Sequence, residues 1–183
     1  MRDRSDEELM QAYAKGEMEA FDALYARHRG PLYRYILRQV GDPVTANDLY
    51  QGSWEKIIKA RARYQPQAPF KAWMYRIAHN HVADHFRRSR PGSELDVEAQ
   101  ATDNPGPEQT LMGEQDASRL AAAVRGLPAE QREVLLLRLE AGLDLEAIAA
   151  ITGVKRETAK SRLRYAIGKL KGVLGGTNGG QTS

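Results

Sequence analysis

The chain has 183 residues, 42% of them hydrophobic and 28% charged, with a formal net charge of +3 and no cysteine. That length fits one domain or two small ones, and the apolar content suffices for packed cores. Lack of cysteine excludes disulfides, thiolate zinc sites and a cysteine nucleophile. No apolar run approaches the ~20 residues of a membrane span, and the charged start MRDRSDEELM lacks the apolar core of a secretion signal, so the expected compartment is the cytoplasm.

The first ninety residues read as helices. Leu9, Ala12, Tyr13, Ala20, Phe21, Leu24 and Tyr25 form one amphipathic stripe, broken near Lys15-Gly16 and continued after Pro31 by Leu32, Tyr35, Ile36 and Val40. Gly41-Asp42-Pro43 marks a turn. Ala46 to Ala60 follows as a helix with Leu49, Trp54, Ile57 and Ile58 inward. The loop ARYQPQAP then leads into the longest predicted helix, Phe70 to Arg88, with Phe70, Trp73, Ile77 and Val82 on one side.

Charge marks the boundaries. Residues 1–90 hold 16 basic and 11 acidic side chains, residues 91–116 hold seven acids and no Lys or Arg, and residues 117–174 hold 11 basic and six acidic ones. Residues 91–116, with Pro91, Gly92, Pro105, Gly106 and Pro107, read as a flexible acidic linker too poor in large apolar side chains to offset its ordering entropy. The tail over 175–183 is expected to be disordered for the same reason. Two basic modules on an acidic tether suggest a bipartite polyanion binder whose linker avoids that polyanion.

The segment from Leu127 to Lys171 predicts a helix-turn-helix. Pro128 suits a first helical position, Gly142 the residue past a helix end, and Asp144 the cap of the helix EAIAAI. Thr152-Gly153 makes the tight turn, since glycine accepts the positive φ that other residues resist. Beyond it, Ala159, Leu163, Ala166, Ile167 and Leu170 form a buried stripe. The opposite face carries Lys155, Arg156, Lys160, Arg162, Arg164, Lys169 and Lys171 against Glu157 alone. A short basic helix on a small helical support fits the major groove of DNA.

The segments ANDLYQGSWEKIIKARARY, FKAWMYRIAHNHVADHFRR and ETAKSRLRYA, in that order and separated by a spacer, resemble bacterial sigma factors of the extracytoplasmic-function group, the minimal form of the sigma-70 family. The resemblance covers nearly the whole chain. It implies an all-α fold of two small helical domains: region 2 over 1–90, which binds core RNA polymerase and melts the −10 element, and region 4 over 117–174, whose helix-turn-helix reads the −35 element. The implied partners are the clamp of the largest polymerase subunit, the flap of the second-largest subunit, and promoter DNA. Relatives are often restrained by an anti-sigma factor. No enzymatic activity, small-molecule substrate, cofactor or metal is implied.

Matching positions supply candidate residues. Arg63, Tyr64, Gln65, Arg76, Asn80, Asp84, Arg87 and Arg88 are implied in −10 binding, the loop and following helix forming a pocket for a flipped non-template base. Asn80 stands where the family often has asparagine, whose amide can read a Watson–Crick edge, and Arg76, Arg87 and Arg88 suit backbone phosphates. Asp48, Gln51, Trp54 and Glu55 match the polymerase-binding helix, although the chain reads DLYQGSWEKII where the family reads close to DLVQETFLRVW. Lys160, Ser161 and Arg164, with Arg138, match base-contacting positions, and Lys155, Arg156, Thr158 and Arg162 phosphate-holding ones.

Two rival readings are weaker. HNHVADH, residues 79–85, nearly matches the HxHxDH zinc motif of metallo-β-lactamase-like hydrolases, but it is one residue too long, lies within a helical segment and has no distant third ligand. An autonomous repressor with its own sensory domain would need a ligand pocket, for which the first domain offers no signal.

Overall fold

The computed structural model describes residues 3–89 and 111–175; the tail expected to be disordered lies almost entirely outside them, as does most of the expected linker. In order they form α1 (Asp6–Ala14), α2 (Met18–Val40), α3 (Pro43–Lys59), a 3-10 turn (Arg61–Arg63), α4 (Phe70–Arg88), α5 (Leu111–Arg125), α6 (Ala129–Leu139), α7 (Leu145–Thr152) and α8 (Arg156–Gly175), with no strand among the described residues. Helix α5 begins inside the stretch expected as linker.

Local chemistry sets these boundaries. Ser5 and Glu8 close a capping box at the start of α1, and Gly16, at φ 104°, turns the chain into α2. Helix α2 runs through Pro31, whose missing N–H costs a helix dearly in isolation. Burial of Leu24, Leu32, Tyr35 and Ile36 offsets that cost. Gly41 ends α2 in the left-handed conformation, and Asp42 then caps α3 by accepting from the Val44 and Thr45 amides, with Pro43 at the first helical position.

The first half packs α1 to α4 around Leu9, Met10, Leu24, Tyr35, Ile36, Ile57, Phe70, Met74 and Tyr75. Asp6 ties α1 to α2 by accepting from Arg27 at 3.0 Å and pairing with His28 at 2.9 Å. Burial pushes its carboxyl up, but these two partners outweigh burial and hold it below its ordinary value. The second half packs α6, α7 and α8 around Val134, Leu136, Ile148, Ala159, Ala166 and Leu170. The halves touch where α2 meets α5 and α6 and where α4 meets α7.

Candidate nucleic-acid interface

The turn residues of the second half do what their types permit. Gly142 (φ 64°) and Gly153 (φ 72°) take the left-handed region, and the Gly153 amide returns to the Ala149 carbonyl. Asp144 accepts from the Ala147 amide at 2.8 Å. Asp144→Ala should therefore destabilise this half by about 1 kcal/mol, while Asp144→Asn keeps most of that, as denaturant midpoints followed by circular dichroism would show. Pro128 is the capping residue before α6, extended at ψ 143°, one position earlier than expected.

These turns set α8 against α7 and α6 through Ala159, Ala166 and Leu170, with Leu163 half-buried. Ile167, expected in the same stripe, is 39% exposed. It follows Ala166 by about 100° around the helix and so passes the edge of the buried arc. On the outward side Lys155, Arg156, Lys160 and Arg164 are exposed, while Thr158, Ser161 and Arg162 are half-buried. Arg162 pairs with Glu130 at 3.4 Å, and the Arg164 guanidinium lies 5.6 Å from the centre of the Tyr165 ring. Arg138 donates to the Leu143 carbonyl at 3.0 Å, tying the α6–α7 turn together.

In the first half, α4 presents a second polar strip. Arg76, Asn80, Asp84 and Arg87 recur every three or four residues and so share one face. Arg76, Asn80, Arg87 and Arg88 are exposed, and Asp84 accepts from Arg87 at 2.8 Å. Arg63 and Gln65 are exposed in the preceding loop. Tyr64 is 8% exposed, its ring lies 5.2 Å from Trp73 and 6.0 Å from Phe70, and its hydroxyl donates to the Ala68 carbonyl. Burial pushes that hydroxyl up to about 12, and the packing of the ring against Trp73 and Phe70 leaves little of it open to a stacked base.

On α3, Asp48, Gln51 and Glu55 share one exposed face. Trp54, expected inward on its helix as well as matching a polymerase-binding position, lies inward. It is 6% exposed, packed against Tyr25 (5.1 Å), Phe21 (5.9 Å) and Tyr50 (6.4 Å), and belongs to the core. The structure also explains Gly52: a Cβ there would come within 2.5 Å of His81 Nε2, so glycine lets the imidazole of α4 lie on α3. Burial, aided by Lys56, pushes the His81 pKa down, which leaves the ring a poor phosphate ligand at neutral pH. His79 and His28 are held by Glu133 and Asp6, and among the described residues no cluster of three or more His, Asp or Glu could hold a metal ion. Sequence periodicity missed one further functional support, the Glu7 carboxylate of α1 that accepts from the Phe70 amide at 3.0 Å and caps α4.

A helix-turn-helix with a cationic second helix, beside a helical bundle bearing a polar, arginine-rich helix face, defines a two-part all-helical nucleic-acid-binding protein. Comparison with known proteins makes the class specific. Residues 24–91 match the family model described as Sigma-70 region 2, and residues 123–172 match that of Sigma-70, region 4. The chain is 30% identical to RNA polymerase sigma factor CarQ of Myxococcus xanthus over 91% of its own length and 95% of that protein's. It is 33% identical to ECF RNA polymerase sigma factor SigL of Mycobacterium tuberculosis, over 88% and 92%. Its fold is similar to that in a co-crystal structure of the sigma factor RpoE with the anti-sigma factor NepR from Bartonella quintana, with a TM-score of 0.70 and 25% identity over 84% of this chain and 96% of that one. The chain belongs to the sigma-70 family, in its extracytoplasmic-function group. It is therefore a factor of transcription initiation by RNA polymerase.

Proposed function

We propose that residues 1–90 bind core polymerase through the Asp48, Gln51 and Glu55 face of α3 and open the −10 element with α4, while α8 reads the −35 element. The observation that carries this reading is the pair of polar faces, Arg76–Asn80–Asp84–Arg87 on α4 of the first half and Lys155–Arg156–Lys160–Arg164 on α8 of the second. Extruding a base costs a few kcal/mol, which a pocket must offset by hydrogen bonding and stacking. Asn80, exposed mid-helix, offers both an amide donor and an acceptor for a base edge. The arginines of the same face follow phosphates and add no sequence information. Clamp and flap of the polymerase hold the two units over their elements, and the factor works in the cytoplasm. The complex of RpoE with NepR supports an anti-sigma factor as a further partner of this chain.

Run-off transcription with core enzyme and this chain, followed by start-site mapping, tests the reading. Asn80→Ala should spare core binding and slow opening of duplex templates by about tenfold for each 1.4 kcal/mol of base-binding energy it removes. Premelted templates should restore the rate. Equal failure on both templates would remove Asn80 from strand opening.

A further inference from the structure

Helix α4 carries the Asn80 face, yet it does not cap its own start. Its first amides need acceptors from outside the helix, and Pro69, at the capping position, makes no side-chain hydrogen bond. Helices α1, α3 and α7 each begin on a side chain of their own, Ser5, Asp42 and Asp144. For α4 the acceptor comes from 63 residues earlier, where Glu7 of α1 takes the Phe70 amide at 3.0 Å. A carboxylate there also suits the positive end of the helix dipole.

The same helix seats the other end of the loop that precedes α4. The Arg61 guanidinium lies 5.5 Å from the centre of the Tyr13 ring, and Arg61 also donates to the Ile58 carbonyl at 2.8 Å. Tyr13 is buried, so that ring is a fixed seat. Between the two anchors, the Tyr64 hydroxyl donates to the Ala68 carbonyl at 2.7 Å and the Ala68 amide to the Gln65 carbonyl at 3.1 Å. Arg63, Gln65 and Gln67 stay exposed. Helix α1 is itself fastened: Asp6 pairs with Arg27 at 3.0 Å and His28 at 2.9 Å, and Glu8 closes the capping box with Ser5. Three successive acids thus serve α2, α4 and the start of α1. The loop is gripped from a rigid base.

We propose that α1 is a clasp for the loop over 61–69, with Glu7 and Tyr13 as positioning residues that hold it in the shape that receives a flipped −10 base. The clasp stands on the contacts above; its part in strand opening rests on the proposed function. Both residues act through the loop and α4, not on DNA. The gain is preorganisation. Extruding a base already costs free energy, and a loop that ordered itself only at that moment would add its own entropy to the barrier.

NMR order parameters of the full chain test the clasp without polymerase. The Gln65, Gln67 and Ala68 amides should be nearly as rigid as the helices, at about 0.85, and should fall below about 0.6 in Glu7→Ala while the helices keep their values. Glu7→Gln retains an acceptor oxygen and should keep the loop rigid. Arg61→Ala frees the other anchor from an exposed position, and should loosen the same amides even if Glu7→Ala fails to fold. In transcription, Glu7→Ala should spare core binding and slow opening of duplex templates about fivefold, the factor that corresponds to losing a cap of ordinary strength. Premelted templates, or Glu7→Gln, should restore the rate. A loop that is mobile in the unaltered chain, or unchanged by both Glu7→Ala and Arg61→Ala, would overturn the clasp. A loosened loop with normal opening, while Asn80→Ala still slows it, would overturn the positioning role. Normal opening in Asn80→Ala as well would strike the −10 reading and leave the clasp standing.

Discussion

Phe70→Ala is expected to destabilise region 2 by about 3–5 kcal/mol, the range for deleting a buried aromatic ring. Phe70 is fully buried, at 5.4 Å from the His28 ring and 6.0 Å from both Tyr64 and Trp73, so removing the ring leaves a cavity bounded by three side chains that also hold other elements in place. His28 is fastened to α1 through Asp6, and Tyr64 fixes the loop before α4. The Glu7 cap on the Phe70 amide survives the substitution, so the loss is one of packing and not of helix initiation. Against a typical domain stability of about 5–15 kcal/mol, and less for so small a unit, the change should leave region 2 partly unfolded at 37 °C. Both tryptophans, Trp54 and Trp73, lie in this half, so intrinsic fluorescence during urea unfolding reports it selectively. Phe70→Leu, which preserves much of the volume, should cost far less. A midpoint shift below about 1 kcal/mol for Phe70→Ala would contradict the packing described.

The same cluster shows what the sequence disclosed and what it withheld. Helix α4 has the bounds expected from periodicity, Phe70 to Arg88, because Pro69 biases the preceding residue away from helix and the apolar face starts at Phe70. Asp144, Gly142 and Gly153 were legible because capping and left-handed turns depend on one residue and its neighbours. The inward place of Trp54 was legible in the spacing of α3, whereas burial of Tyr64, in a loop, depends on which helix lies opposite, and spacing along one chain segment holds no trace of that. Gly52 looked like a mere departure from the family pattern; its cause is an imidazole from another helix. The contact between the halves had one signal in the sequence, the unbroken run Val134 to Leu137, which is apolar around most of a turn and so demands cover on more than one side.

The outward face of α8, proposed to read the −35 element, gives the second large effect. Lys160 and Arg164 are exposed and four residues apart, so they stand one above the other on the outward face of α8. A lysine or arginine facing guanine O6 and N7 contributes about 1–3 kcal/mol of discrimination, and Lys160→Ala with Arg164→Ala should therefore reduce −35 selectivity by about 2–6 kcal/mol if the two act independently. The Tyr165 ring beneath the Arg164 guanidinium engages its flat face and leaves the N–H edge free to aim at a base. Arg156→Ala supplies the contrast. Removing a phosphate-holding charge there should weaken all promoters alike and lower the salt dependence of binding by about one unit of slope, without changing which −35 sequence is preferred. Competition among −35 variants for holoenzyme, repeated over a range of salt concentrations, separates the two behaviours. If the Lys160/Arg164 double variant kept its sequence preference and gave up only affinity and salt slope, those side chains would hold backbone, and base reading would have to lie elsewhere on the face, with Ser161 next in line.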